Sequence, residues 1–218
     1  MSTVMLILFV LSSIAHLTFS YADHAVFRAR TKPFPLLFLL LYYLVSTSSP
    51  DVFLVLALFT SLLGDILLIF PGNKYFVIGG ISFLFAHVFF ILVYSVNLWD
   101  AHAHLSLLIP VAAIYLLISI LIVEQIADHT PKSMLAPMWL YLLTNSAMNT
   151  AALIQYLTLR SRAAGIAYAG ALLFYISDCL LFLVRYHKNK DLVPKRHFFV
   201  MFCYLAGEFL ITRGLLLM

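Results

Sequence analysis

Long apolar segments follow one another along most of this chain and are separated by short polar stretches. A helix of about 20 apolar residues crosses the ~30 Å hydrocarbon core of a bilayer, and it satisfies its own backbone groups there. Eight segments have about this length, at residues 4–20, 33–49, 51–70, 75–94, 106–123, 136–157, 163–185 and 197–217. We therefore predict an all-α fold, a polytopic membrane bundle of eight transmembrane helices.

Composition supports a single transmembrane domain over residues 1–218. The chain is 64% hydrophobic and only 10% charged, whereas soluble domains are about 25% charged. No Lys or Arg precedes the first apolar segment, which favours a retained helix over a cleaved signal peptide. The basic residues are not interleaved with exposed aromatic residues, so we do not expect nucleic-acid binding.

The basic residues lie mainly in the connections that follow the odd-numbered segments. The opposite connections carry only Arg160 and Arg162, against ten on this side: Arg28, Arg30, Lys32, Lys74, Lys132, Arg185, Lys188, Lys190, Lys195 and Arg196. Cytoplasmic connections are enriched in Lys and Arg, so we expect both termini to be non-cytoplasmic. We predict a multi-pass integral membrane protein, located in the inner (plasma) membrane if the organism is bacterial.

Two carboxylates interrupt apolar segments in a similar context. Asp65 lies in "GDILLIF" and Asp178 in "SDCLLFL", four segments later, and both stretches read small–Asp–x–Leu–Leu. A charge near a helix centre costs about 2.5–3.5 kcal/mol on insertion, so one that is kept points to function. At ~1.5 Å per residue both lie roughly 8–11 Å inside the cytoplasmic end. The shared pattern also predicts two four-helix repeats.

Other polar residues lie at related depths in the predicted helices. His87 and Glu208 are one to two turns deeper than the two aspartates, and we expect them to form the floor of one pocket open to the cytoplasmic leaflet. His16 is expected near the outer side of the first helix. The remaining candidates for substrate binding inside the helices are Asn145, Tyr94, Ser177 and Tyr204. Polar residues of membrane helices also serve simply as hydrogen-bonding groups between helices, and Asp65 and Asp178 could form structural pairs with a Lys or Arg of a connection; both alternatives stay open.

Two carboxylates and an imidazole in a dry pocket form an acid–base set. One carboxyl can keep its proton at neutral pH while its neighbour stays ionised. Such pairs cleave acetal-like and enol-ether C–O bonds through oxocarbenium-like states. The sequence has no Gly-x-Ser-x-Gly elbow, no His-Glu-x-x-His pair and no phosphate-binding glycine loop. The acid–base set therefore predicts hydrolysis without a metal or another cofactor.

Several short motifs, in order along the chain, resemble the lysoplasmalogenase family of membrane proteins, also called YhhN-like. They are Lys32-Pro33, Gly64-Asp65, "GISFLFAH" ending at His87, Ser177-Asp178 with "CLLFLVRY", and "CYLAGEFLI" around Glu208. The resemblance covers nearly the whole chain and implies eight membrane helices. This chain departs from the family where Phe90 replaces a frequent Tyr and where Glu208 replaces a frequent Gln.

The resemblance implies hydrolysis of the vinyl ether bond of lysoplasmalogen to a fatty aldehyde and a glycerophospho-base. The implied catalytic residues are Asp65, Asp178 and His87. The partners expected are a lysophospholipid substrate and membrane lipids, with no protein partner inferred. The substrate phosphate must stay near the interface, where Lys32 and Arg185 are candidates to bind it. Both residues can instead serve only as anchors of helix ends.

Three other functions compete with this prediction. Ionisable residues within helices and internal repeats also suit a proton-coupled membrane transporter. A metal-dependent lipid hydrolase would use Asp65, His87 and Asp178 as ligands. A helical scaffold without activity is the third alternative, but it leaves the buried carboxylates unexplained.

Overall fold

Helices form the regular structure of residues 1–96 and 105–218, which are the residues that the computed structural model describes. No strand occurs in these two ranges. A 3₁₀ turn, Ala127–His129, extends the sixth helix. The α-helices of the described residues are α1 (Ser2–Tyr21), α2 (Ala25–Thr31), α3 (Pro33–Ser46), α4 (Val52–Leu67), α5 (Asn73–Ser95), α6 (Leu105–Ile126), α7 (Lys132–Leu159), α8 (Arg162–Tyr186) and α9 (Arg196–Leu216).

Each predicted apolar segment is occupied by a helix, with differences at some ends. Helix α3 ends at Ser46 because Thr47 is extended, ahead of the polar residues that precede Pro50. Helix α7 begins at Lys132 rather than near residue 136, and Pro137 lies inside it. Helix α2 was not predicted at all. Its seven residues are too short to give a clear apolar period.

Among the described residues, five helices are long and apolar enough to cross a membrane by length and composition. They are α1, α5, α6 with its 3₁₀ extension, α8 and α9. Helices α3 and α4 are shorter, at 14 and 16 residues. Helix α7 has 28 residues but carries buried polar side chains that lower its hydropathy. The protein is therefore an all-helical membrane protein, and the count of eight crossings stays a prediction.

Small residues bring helices α8 and α9 into close contact. A Cβ on Gly170 would lie 2.6 Å from the carbonyl oxygen of Gly207. A Cβ on Gly214 would lie 2.8 Å from the Cα of Ala167. Such contacts between backbones are how membrane helices gain packing energy without a hydrophobic driving force. They place Ser177-Asp178 of α8 firmly beside the first half of α9.

Six helices form a ring. Helix α3 contacts α4, and α4 contacts α5; α7 contacts α8, and α8 contacts α9 in the same way. The ring closes because α5 contacts α7 and α9 contacts α3. Helix α1 packs beside α3 and α9, and α6 packs beside α7 and α8. Two four-helix repeats would produce this order of contacts in the ring, but the repeat itself stays a prediction.

The basic connections lie at one end of the bundle. The guanidinium of Arg185, at the end of α8, donates a hydrogen bond to Oδ1 of Asn73 at the start of α5. The ring of Tyr21, at the end of α1, packs edge-on against Phe198 at the start of α9. We call this the basic end. Its assignment to the cytoplasm stays a prediction.

Candidate active site

Asp65 is held by a cation and a phenol in the interior of the protein. Its side chain is 1% exposed, and Nζ of Lys32 lies 3.4 Å from its Oδ1. The hydroxyl of Tyr204 donates to its Oδ2 at 2.9 Å. The ring of Phe83 fills the space next to Gly64, where a Cβ would meet it at 2.5 Å. A small residue before Asp65 therefore lets α5 approach α4 closely.

Asp178 has a different set of partners. Its Oδ2 accepts hydrogen bonds from the hydroxyl of Tyr141 at 2.9 Å and from Nδ2 of Asn145 at 2.8 Å. Nε2 of His87 lies 3.2 Å from the same oxygen. Asn145 is itself positioned by Asn149, whose Nδ2 donates to its Oδ1 at 3.0 Å. Asp178 therefore sits at one end of a buried polar chain.

The position of His87 favours a proton on one member of the His87–Asp178 pair, although Nε2 makes no well-aligned hydrogen bond among the described residues. Nδ1 lies 2.7 Å from the backbone oxygen of Phe83, and a carbonyl oxygen only accepts, so Nδ1 carries hydrogen. A neutral ring would then present a lone pair on Nε2 to the carboxylate oxygen. Two acceptors at 3.2 Å repel each other unless one of them is protonated. The His87–Asp178 pair is therefore suited to hold one transferable proton.

Aromatic rings lie between the two carboxylate clusters. The ring of Phe174 lies 4.8 Å from that of His87 and 5.3 Å from that of Tyr204, measured between centroids. Phe83 packs edge-on against Tyr204 at 5.7 Å. The structure thus divides the predicted single set of residues between two neighbouring clusters. In the described residues no hydrogen bond joins Asp65 to Asp178.

The metal alternative requires Asp65, His87 and Asp178 to converge on one point. Asp178 and His87 do approach each other, but Asp65 belongs to the other cluster. Within residues 1–96 and 105–218, no three His, Cys, Asp or Glu side chains are grouped closely enough to hold a metal ion. The geometry therefore does not supply the ligand set on which that alternative depends.

An apolar groove of about 440 Å³ runs between α5, α7 and α8. Its wall includes Tyr141, which donates to Asp178, and Phe83, which packs on Tyr204. A second cavity of about 290 Å³ lies at the basic end and includes Lys32. Leu68 borders both spaces. Both carboxylate clusters therefore lie next to an apolar space with a basic cavity at one side.

The other predicted residues lie in varied surroundings. Tyr94 and Glu208 are fully buried, and neither the phenol oxygen nor the two carboxylate oxygens has a hydrogen-bond partner among the described residues. Ser177 donates to the backbone oxygen of Val200 and so ties α8 to α9. Arg185 packs over the ring of Phe76, 3.6 Å from its centroid. It borders the apolar groove through this ring and does not line the cavity that contains Lys32.

Sequence reasoning placed one residue wrongly and overlooked two others. His16 is not near the outer side but at the basic end, where Nδ1 lies 2.9 Å from Oγ1 of Thr31. The error came from measuring its depth from the wrong end of α1. Tyr141 was overlooked, although it precedes Asn145 by four residues and so shares its helix face. Phe174 precedes Asp178 by the same spacing.

Known proteins add one finding to this geometry. No curated protein and no solved structure matches the chain. The sequence model of the YhhN family, however, matches residues 27–215. This range includes Lys32, both aspartates and His87. Because the match covers most of the chain, the protein belongs to the YhhN family, which is the lysoplasmalogenase family.

Proposed function

We propose that this protein hydrolyses the vinyl ether bond of lysoplasmalogen and releases a fatty aldehyde and a glycerophospho-base. Family membership supports a hydrolase of this type. The observation that supports the specific chemistry is the buried His87–Asp178 pair, which lies beside an apolar groove and could share a proton there. A vinyl ether needs a strong, localised proton donor, and a single-chain lipid needs an apolar space for its tail.

The first step is proton transfer to carbon. The His87–Asp178 pair gives its proton to the β-carbon of the vinyl ether, and the π electrons of the double bond form the new C–H bond. The positive charge then lies on the α-carbon and the ether oxygen as an oxocarbenium ion. Hydrogen bonds from Tyr141 and Asn145 stabilise the negative charge that develops on Asp178.

The second step is addition of water. Asp65 accepts a proton from a water molecule whose oxygen bonds to the α-carbon, giving a hemiacetal. Lys32 and Tyr204 keep Asp65 ionised for this role because both interactions favour its negative charge. The hemiacetal hydroxyl then returns a proton to the His87–Asp178 pair, the C–O bond to glycerol breaks, and the glycerol oxygen takes the proton held by Asp65, which restores both groups. One water molecule is consumed overall.

The direct test is aldehyde release from lysoplasmalogen by the purified protein in detergent. Asp65→Asn and Asp178→Asn should each reduce the rate by about 10²–10⁴-fold, as expected for general acid–base groups. Asp128→Asn is the matched control, since Asp128 is exposed and lies in the 3₁₀ turn. Detergent offers no second compartment, so turnover there also separates an enzyme from a transporter. Near wild-type turnover in either aspartate variant would remove that residue from the mechanism.

A further inference from the structure

The cavity at the basic end is lined by several cationic or ionisable side chains. Arg28, Lys32, His16 and His197 all border it, and no carboxylate is among its described lining residues. Arg28 comes from α2, His16 from α1 and His197 from the first turn of α9. Three helices and the residue before α3 therefore converge on one anion-favouring space.

Arg28 is held in place beside this cavity. One of its terminal nitrogens donates to Oδ1 of Asp23, and this hydrogen bond lowers the pKa of Asp23. Asp23 is 64% exposed, and the same Oδ1 also lies 3.6 Å from Nε2 of His197, so this carboxylate lies beside both residues at the edge of the cavity. A guanidinium has five N–H donors, so several remain available to another anion. The hydrogen bond to Asp23 therefore orients the Arg28 side chain and leaves other N–H groups of its guanidinium available to bind an anion.

The cavity is also connected to the proposed reaction site. Lys32 lies in its wall and contacts Asp65 at 3.4 Å. Leu68, one turn after Asp65, borders both this cavity and the apolar groove. A molecule with its chain in the groove and its polar end in the cavity would therefore pass beside Asp65. Phosphate cannot be buried in hydrocarbon without a large cost, so its place is at such an interfacial site.

We propose that this cavity binds the phosphate of a single-chain phospholipid and that Arg28 and His197 contact it directly together with Lys32. The identity of the lipid rests on the proposed function, but the anion site stands on its own geometry. Bidentate contacts from a guanidinium match phosphate oxygens well. Substitution of Lys32 cannot test the site cleanly, because Lys32 also pairs with Asp65.

The experiment uses binding without turnover. Thermal shifts of the full-length protein in detergent are measured with lysophosphatidylethanolamine and with a monoacylglycerol of the same chain length. The variants are Arg28→Ala and Ala25→Asp, with Arg30→Ala as the matched control. Ala25 lines the cavity and opens α2, where a carboxylate is favourable for the helix. Arg30 is on the same helix but is exposed and outside the cavity.

We expect Arg28→Ala and Ala25→Asp to weaken lysophosphatidylethanolamine binding by about tenfold or more, as lost contacts to a charged group do. Arg30→Ala should bind like wild type, and monoacylglycerol binding should not change in any variant. The proposal is overturned if both cavity variants bind lysophosphatidylethanolamine normally, or if they lose both lipids equally. Inorganic phosphate is the third probe, and stabilisation equal to that by the lipid would make this a free-anion site instead. Binding of lysophosphatidylethanolamine together with no aldehyde release from lysoplasmalogen would refute the proposed function and leave this site standing.

Discussion

The Lys32–Asp65 ion pair allows a structural role to be separated from a catalytic one. Its charged atoms are 3.4 Å apart, and the side chains are 14% and 1% exposed. At an effective dielectric constant of ~20, two unit charges at this distance attract by about 5 kcal/mol before desolvation is counted. Loss of one partner from a buried pair typically costs about 3–5 kcal/mol, whereas replacement of both is often nearly neutral.

Lys32→Met keeps the aliphatic stem but leaves Asp65 with only the hydroxyl of Tyr204. We expect destabilisation by about 3–5 kcal/mol, or a Tm lower by roughly 6–20 °C for a chain of this length. Asp65→Asn should cost less, because the ammonium of Lys32 borders the basic cavity and can turn into it. The double variant Lys32→Met/Asp65→Asn should regain most of the wild-type Tm, with a coupling energy on the order of 2–3 kcal/mol.

The rate of aldehyde release should not change in parallel with Tm across these two single variants and the double variant. Each variant that lacks Asp65 should lose aldehyde release by about 10²–10⁴-fold, including the double variant that regains its Tm. Thermal unfolding in detergent and aldehyde release from lysoplasmalogen are measured on the same preparations. A double variant as unstable as Lys32→Met would refute the pairing energetics. An active Asp65→Asn would make Asp65 a structural counter-ion of Lys32.

Three further outcomes follow from the same geometry. Asp65→Asn/Asp178→Asn should release aldehyde little more slowly than either single variant, since residues that act as a unit are not additive; strictly multiplicative losses would indicate independent roles. Glu208→Gln should keep the wild-type Tm, because glutamine has the same shape, can still accept from the nearby Ser61, and loses no well-formed hydrogen bond among the described residues; a fall of more than a few degrees would reveal an interaction of the carboxylate. Topology reporters should place the C-terminus outside and the 186–196 connection in the cytoplasm, and the reverse result would invert the side of substrate entry.

The sequence was sufficient to predict the helices because lipid imposes a single demand on the backbone. Any apolar stretch of the required length must bond internally, so the eight segments could be read directly as helices. This reasoning did not predict helix α2. It is short and carries Arg28 and Arg30, and its position depends on contacts with α1 that composition does not reveal. As a result, Arg28 was used only to predict the orientation in the membrane and was not considered as a residue that could bind phosphate.

The estimated depth of a residue along its helix did not determine the direction of its side chain. Asp65 and Asp178 were placed at one level, which led to the expectation of one shared pocket. Depth alone gives no rotation about the helix axis, and rings such as Phe174 lie between the clusters. Among 12 tyrosines, only the spacing of four residues before Asn145 distinguished Tyr141. Lys32 was predicted to bind phosphate, and its contact with Asp65 could not be seen from its place before a proline.

The two aspartates draw their partners from corresponding places in the ring of helices. Asp65 of α4 takes Lys32 from the start of α3 and Tyr204 from α9. Asp178 of α8 takes Tyr141 and Asn145 from α7 and His87 from α5. In both cases one partner comes from the preceding ring helix and another from the last helix of the opposite half of the chain, which is α9 for Asp65 and α5 for Asp178.

The chemistry of the partners differs although their arrangement corresponds. A lysine beside Asp65 favours a permanent negative charge, whereas an imidazole beside Asp178 favours a shared proton. A tyrosine hydroxyl donates to each carboxylate, so the two sites differ in their basic side chain, which is Lys32 at Asp65 and His87 at Asp178. In the proposed mechanism these two unlike carboxyl groups have different roles, since Asp178 gives a proton and Asp65 accepts one. Addition of water to a vinyl ether requires both, because the proton goes to one carbon and the water oxygen to the next.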